Sequence, residues 1–352
     1  MDEYKIRGSV SARNAKSRVT MRDVAREAGV SPMTVSRALN EHGFVNPKTR
    51  QTVRQVADRL GYVYDTTAQA FRAQRSGFLA VTLPSIDNAN FAATHRALTA
   101  SMAEAGLQVL LGVTTYRLEE EERLVRHLLT RRPEAMVLTG GAHTEATRSL
   151  VTALDIPIVE IWDMPPAPIG HAVGFSNADS MWPIVEHLAE TGRRRLLFLG
   201  AAGRTDQRGA ERRRGAIEAA RALGLPEMAI LEIGQAPISM TEGMRAADTL
   251  GGGLASYDAL VCVSDPVAFG ALSACERLGI DVPGELAITG FGAFEIASVC
   301  VPSITTVDVG AERIGAEAGR LISGLLRDDR QKLETERIDS GYQLIIGATT
   351  QG

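Results

Sequence analysis

Cysteine is nearly absent. The three in 352 residues, Cys262, Cys275 and Cys300, have neither the pairing nor the close spacing of a zinc site or a disulfide framework. A thiolate metal centre and a disulfide-built secreted scaffold are therefore not indicated, and the three read as reduced and mostly buried. The six histidines (His42, His95, His127, His143, His171 and His187) are dispersed without ligand spacing, so no metal site is expected. No apolar run approaches the roughly 18 residues that a membrane-spanning helix needs. The N-terminal stretch is charged and polar, without the apolar segment of an export signal. The expectation is a cytoplasmic protein with no membrane partner. Catalytic signatures are missing as well: there is no Walker A loop, no G-x-S-x-G elbow, no H-E-x-x-H and no G-x-G-x-x-G after a strand. GFGAF and GAAGR are glycine-containing strand ends too loose to cradle phosphates. A non-enzyme without a cofactor is expected.

What is present is an uneven distribution of charge. The net charge is -4, yet residues 1–76 carry 14 Lys/Arg against 7 Asp/Glu, while the rest carries 24 against 35. A basic module can displace counterions from phosphates while an acidic bulk avoids nucleic acid elsewhere. The remaining composition, 45% hydrophobic and 23% charged, is that of an ordinary globular protein, and the length suits a small module plus two medium ones.

The basic part contains TMRDVAREAGVSPMTVSRALN, Thr20 to Asn40. Thr20 and Asp23 stand in capping-box register, Val24, Ala25 and Ala28 share one helical face, and Gly29 ends the helix. Ser31 caps a second helix with Pro32 at its first position, and Val35, Ala38 and Leu39 form its buried side. Met33, Thr34, Ser36 and Arg37 face outward. Two such helices with a tight turn read as a helix-turn-helix, whose second helix enters the DNA major groove. Asn46-Pro47 opens a third helix with Val53, Val56, Ala57 and Leu60 as its packing stripe, closed by Gly61.

The run from Asp23 to Asn40 resembles the headpiece of the LacI/GalR family of bacterial transcription regulators. That resemblance implies an all-α helix-turn-helix headpiece followed by an α/β periplasmic-binding-protein-like core of two Rossmann-like subdomains. It implies a repressor that binds a near-palindromic double-stranded DNA operator as a homodimer, controlled by a small sugar or sugar-acid effector. DNA contacts fall to Thr20, Met21, Pro32, Met33, Thr34, Ser36, Arg37 and Asn40, with Lys48, Thr49 and Tyr62 on phosphates. In the hinge they fall to Ala68 and to Phe71, which stands where the family usually has a minor-groove leucine. The expected division is a basic arm over 1–18, a headpiece over 19–64, a hinge helix or linker over 65–76, and an effector-binding and dimerisation core over 77–337. Its first lobe takes roughly 77–178 and 307–337, its second roughly 179–306 and 338–350.

Beyond Phe78 short apolar segments alternate with helical ones: 78–83, 108–113, 135–139, 156–161, 195–200, 259–264 and 286–291. Continuous apolar strands joined by helices imply parallel sheets covered on both faces, with ligands beyond the carboxyl ends of the strands. The resemblance places Ser85 and Phe91 at the effector, Arg212 as a guanidinium in the R-x-x-G spacing to Gly215, Asn177, and Asp265 at a strand end. Strings such as LTGGAHT, PIVEIWD and AVGFSN look like the branch that regulates gluconate utilisation, so a carboxylate with a polyol chain fits, with His143 and Glu160 meeting hydroxyls. A cytoplasmic sugar-binding protein or an α/β enzyme without DNA-binding function is the alternative.

Overall fold

The computed structural model describes residues 19–40, 44–63, 76–201, 206–327 and 334–351. Expectations placed on residues 1–18 and on Ala68 and Phe71 lie outside the described residues. The chain divides into two compact units, Met1–Arg75 and Ser76–Gly352.

The first unit holds α1 (Met21–Ala28), α2 (Pro32–Leu39) and α3 (Pro47–Leu60). Local chemistry sets each boundary. The Asp23 carboxylate accepts from the Thr20 backbone N–H at 3.0 Å and from its hydroxyl at 2.7 Å, and Gly29 closes α1 at φ 65°. Ser31 Oγ accepts from the Thr34 N–H at 3.1 Å. Asn46 Oδ1 accepts from Lys48 N–H at 2.9 Å, and Gly61 closes α3 at φ 67°. A glycine in the left-handed region ends a helix without a Cβ clash. The interior consists of Val24, Ala25, Val35, Ala38, Val53, Val56 and Ala57.

In the second unit the chain lays down β1 (Phe78–Leu83), α4 (Ala89–Glu104), β2 (Gln108–Val113), α5 (Leu118–Leu129), β3 (Ala135–Thr139), α6 (Glu145–Thr152), β4 (Ile158–Ile161) and β5 (His171–Gly174). It continues through α7 (Trp182–Glu190), β6 (Leu196–Gly200), α8 (Gln207–Ala222), β7 (Ala229–Glu232), α9 (Met240–Leu250), β8 (Ala259–Cys262), α10 (Asp265–Leu278), β9 (Ala287–Thr289) and α11 (Glu295–Val299). Then come β10 (Thr306–Asp308), α12 (Ala311–Arg327), β11 (Arg337–Asp339) and β12 (Gln343–Ile345).

Two parallel sheets result, one in the order β11-β5-β4-β3-β1-β2 and one in the order β7-β6-β8-β9, while β10 and β12 pair antiparallel. The central strands β6 and β8 are buried throughout and β1 at every position after Phe78, as sheets covered by helices on both faces require. After β9 the chain returns to the first lobe, where α12 packs on α4. A Cβ at Gly315 would stand 2.2 Å from the Thr94 carbonyl oxygen, so glycine there permits the close approach. The chain crosses between lobes after β5, around β10 and between β11 and β12.

Seven apolar runs appear as strands, several shorter than their runs; 156–161 begins only at Ile158. Five strands were not foreseen: β5, β7, β10, β11 and β12. All have three or four residues, too few to show a period, and β7 alternates half-buried with exposed positions, as an edge strand does. Asp339 of β11 pairs with Gly174, so the first sheet runs two residues past the expected lobe limit at 337.

Candidate functional site

In the headpiece, α2 presents Pro32, Met33 and Arg37 to solvent, with Met33 66% exposed. An exposed methionine on a seven-residue apolar core is unneeded for packing and suits contact with an apolar base edge such as a thymine methyl. Thr34 is half-buried, its hydroxyl 2.9 Å from that of Ser31, so the cap uses part of its hydrogen-bonding capacity. Ser36 and Asn40 are half-buried. The Asn40 carbonyl accepts from Arg50 Nη1 at 2.9 Å, tying the end of α2 to α3. Thr20 spends its hydroxyl on Asp23, whose carboxyl these bonds hold below its ordinary value. Met21 and Tyr62 pack partly buried against the headpiece core, Lys48 is exposed and Thr49 half-buried. The outward residues of α2 and the exposed Lys48 are thus presented to solvent, whereas Met21 and Tyr62 also serve packing.

Between the lobes of the second unit lies a cavity of about 420 Å³. It collects residues from the segments after β1, β2, β4, β5, β6, β7, β8 and β9, where parallel sheets present their ligand-facing ends. Six aromatic side chains, Phe91, Tyr116, Trp162, Phe175, Phe291 and Phe294, line it, in a chain with only nine Phe, six Tyr and two Trp. Phe91 and Trp162 meet edge-to-face at 5.0 Å, Trp162 and Phe175 at 6.1 Å, and Phe175 and Phe291 are tilted at 6.2 Å. These contacts run from the first lobe to the second as a continuous apolar floor. Trp162 has φ 68°, a conformation costly for a bulky residue, and is held there by its Nε1–H, which donates to Thr94 Oγ1 at 3.1 Å.

Polar groups stand around the floor. Asn88 Oδ1 accepts from the N–H groups of Asn90 and Phe91, capping α4 and fixing the Phe91 backbone. Asn90 Nδ2 donates to the Gly292 carbonyl across the lobes at 2.6 Å. Asn177 Nδ2 donates to the Trp162 carbonyl at 3.1 Å, and Ser85 Oγ accepts from the Asp87 N–H at 3.1 Å. Arg212 lies 4.5 Å over the Phe291 ring, donates from Nη1 to the Val263 carbonyl at 2.8 Å and stands 4.0 Å from Asp206. Burial pulls its pKa down from the ordinary value, with the Asp206 charge opposing. Its neighbours point elsewhere: Arg213 pairs with Glu232, and Arg214 with Glu211 and Glu218. Gly215 packs α8 against the segment before α7, since a Cβ there would be 2.0 Å from the Ala178 oxygen.

Ser85, Phe91, Asn177 and Arg212 are therefore brought together at the cavity. Three expected residues are not, and each corrects the sequence reading. His143 and Glu160 lie inside the first lobe, buried away from the cavity. His143 Nδ1 is 2.6 Å from Glu121 and Nε2 is 3.1 Å from Glu160, while Glu160 also accepts from the Ile169 N–H at 2.7 Å. A carboxyl group faces each ring nitrogen, an arrangement in which an imidazolium donates from both. Burial opposes that charge, but the hydrogen bonds and charges of Glu121 and Glu160 outweigh it and raise the pKa to about 9. Asp265 begins α10 and is turned behind the wall, accepting from the Phe294 N–H at 2.7 Å. Burial raises its pKa to about 6, opposed by those hydrogen bonds and by Arg212.

Missed in the sequence were Tyr116, Trp162, Asp206 and Arg208. Trp162 directly follows β4 and Tyr116 stands three residues past β2, in the strand-end segments where ligands of such sheets are expected. Arg208 precedes Arg212 by one helical turn, which places both on one face of α8.

Over residues 20–65 the chain matches the family described as bacterial regulatory proteins, lacI family, and over 185–350 the periplasmic binding protein-like domain. It is 33% identical over 333 residues to the HTH-type transcriptional regulator GntR of Pseudomonas aeruginosa, covering 95% of this chain and 96% of that protein. A solved LacI-family transcriptional regulator from Silicibacter pomeroyi is 30% identical, with a TM-score of 0.88 over 95% of this chain and 100% of that one. The lac repressor dimer bound to operator and the anti-inducer ONPF, 22% identical with a TM-score of 0.79 over 95% of this chain and 100% of that one, shares the fold.

Proposed function

The chain belongs to the lacI family of bacterial regulatory proteins, and we propose that it is a transcriptional repressor, not an enzyme, whose hold on operator DNA is controlled by a sugar acid bound between the lobes. The observation that carries the reading is the 420 Å³ cavity itself, in which an aromatic floor is bordered by guanidinium, carboxylate, amide and hydroxyl groups. Aromatic faces suit the C–H faces of a carbon chain or sugar ring, amides and hydroxyls suit a polyol, and a guanidinium suits a carboxylate. Gluconate has these features, and the likeness of LTGGAHT, PIVEIWD and AVGFSN to the gluconate-utilisation branch points the same way.

Two headpieces in a homodimer take half-sites about one helical turn apart on a near-palindromic operator, as dimers of helix-turn-helix proteins do. Pro32, Met33, Thr34, Ser36 and Arg37 meet base edges, and Lys48 and Thr49 meet phosphates. An effector switches such a protein only by differing in affinity for two lobe arrangements. Selection of genomic fragments bound by the full chain, followed by anisotropy titration over a salt series, tests the first half. Affinity that prefers particular fragments and falls steeply with salt is expected, and binding indifferent to sequence overturns it. Calorimetric titration with D-gluconate, D-galactonate and neutral hexoses tests the second half, which fails if no acid gives heat.

A further inference from the structure

Two guanidinium groups border the cavity in unequal circumstances. Arg212 is engaged on several sides: by the Val263 carbonyl at 2.8 Å, by the Arg208 carbonyl at 3.3 Å from Nε, by Asp206 at 4.0 Å and by the Phe291 ring beneath it. An acid pairing with it would compete with Asp206 for a charge already partly compensated. Arg208, one turn earlier on α8, forms no hydrogen bond or ion pair through its guanidinium among the described residues. Its close neighbours there are ring faces, with its Cζ 5.3 Å from the Phe91 centroid and 5.9 Å from that of Tyr116.

Those rings belong to the first lobe and Arg208 to the second, so its side chain reaches across the cleft. Its Nη1 ends 3.1 Å from the point that a Cβ would occupy at Gly140, just beyond β3, where φ is 89°. Tyr116 is delivered by a costly turn, with Thr115 at φ 50° and Tyr116 at φ 61°. Ring faces hold a cation more weakly than a two-pronged carboxylate does. Beside this group, Asp206 Oδ1 is buried without a hydrogen-bond partner among the described residues, an acceptor waiting for a hydroxyl donor. The wall thus asks for an anionic group and a hydroxyl on one ligand.

We propose that Arg208, not Arg212, pairs with the anionic group of the effector and sets the preference for an acid over its neutral analogue. This rests on the sugar-acid reading of the cavity. Arg212 serves as a fixed part of the wall. Because Arg208 is rooted in α8 and rests on rings of the opposite lobe, pairing with the acid replaces a contact between the lobes with one that runs through the ligand.

The test is calorimetric titration of the full chain with sodium D-gluconate and with D-gluconamide, which keeps the polyol and removes the charge. A charge-assisted hydrogen bond contributes about 1.5–3 kcal/mol, so the wild type is expected to prefer gluconate by roughly 10–100-fold. Arg208→Gln is expected to weaken gluconate by that factor and to leave gluconamide within about threefold, erasing the preference, while Arg208→Lys keeps part of it. Thermal melts establish that both variants are folded, and if the glutamine variant is not, the lysine variant alone decides by a reduced preference. A full wild-type preference in folded Arg208→Gln, with its loss in Arg212→Lys, overturns the assignment and leaves the sugar-acid reading standing. No heat from the wild type with gluconate, galactonate or their amides overturns that reading and this assignment together.

Discussion

The headpiece and the core are held together on different scales. The buried interior of the headpiece is seven side chains, none larger than valine, and local devices at the helix ends carry much of its order. The core buries Phe175, Phe198, Met102, Met136 and a long series of Leu, Ile and Val under two sheets, and can hold a charged cluster in its interior. Small domains bury a smaller fraction of their surface and have less margin. The consequence is a division of sensitivity: a lost cap should be felt in the headpiece out of proportion to its energy, whereas the core should yield only to buried charge or steric conflict.

The sharpest way to break that contrast is His143→Gln. It leaves Glu121 and Glu160 facing each other without the cation between them, and removing one member of a buried ion cluster costs about 3–5 kcal/mol. The core transition in urea should move by that amount while the headpiece signal stays put. The same cluster makes the core pH-dependent. Since the folded-state pKa of His143 lies above that of free imidazole, its stabilisation is complete below about pH 6.5 and is lost as the pH rises through about 9. A wild-type core midpoint that does not fall between pH 6.5 and 9.5, relative to His143→Gln, contradicts the imidazolium assignment.

Gly215→Ala is the next largest, at about 1–3 kcal/mol, because its Cβ would press on the Ala178 oxygen. It should lower the core melting temperature and, by shifting α8, weaken effector binding as well. In the headpiece, Ser31→Ala removes the cap of α2 and costs about 1 kcal/mol. Although smaller, this loss should weaken operator binding measurably and leave the core melt unchanged, and equal binding by wild type and variant would refute the claim that the headpiece is marginal. The smallest stability effect belongs to Met33→Gln, within about 0.5 kcal/mol because the side chain is exposed. Fragment selection should nonetheless return different operators, and unchanged selection removes Met33 from the reading surface.

The two regions also differ in how far they could be read from residues alone. In the headpiece, cap, proline and terminal glycine lie within a few positions of one another, so Ser31, Pro32, Gly29 and Gly61 set boundaries that local chemistry dictates. In the core, strand runs were legible because burial on both faces makes them continuously apolar. The cavity was legible only in part. Ser85 and Asn177 stand just past strand ends, Phe91 and Arg212 in the helices that follow, and all four meet at the cavity, but position along the chain does not say which way a side chain turns. His143 and Glu160 turn inward because Glu121, on a helix that no local pattern links to them, completes their cluster. Asp265 turns behind the wall because the Phe294 N–H, in a loop nearly thirty residues on, needs an acceptor. Tyr116 and Arg208 become neighbours only once the two lobes face each other.

The central claim is that the cavity of the core governs the grip of the headpiece on DNA. It is tested most directly by measuring the Kd of the full chain for a selected operator fragment by anisotropy, with and without saturating D-gluconate, together with the Kd for gluconate with and without saturating operator. Reciprocity requires the two ratios to be equal, and couplings of this kind typically lie between about 5- and 150-fold. A matched shift in both titrations is the predicted result. An operator Kd that does not move while gluconate demonstrably occupies the cavity contradicts it.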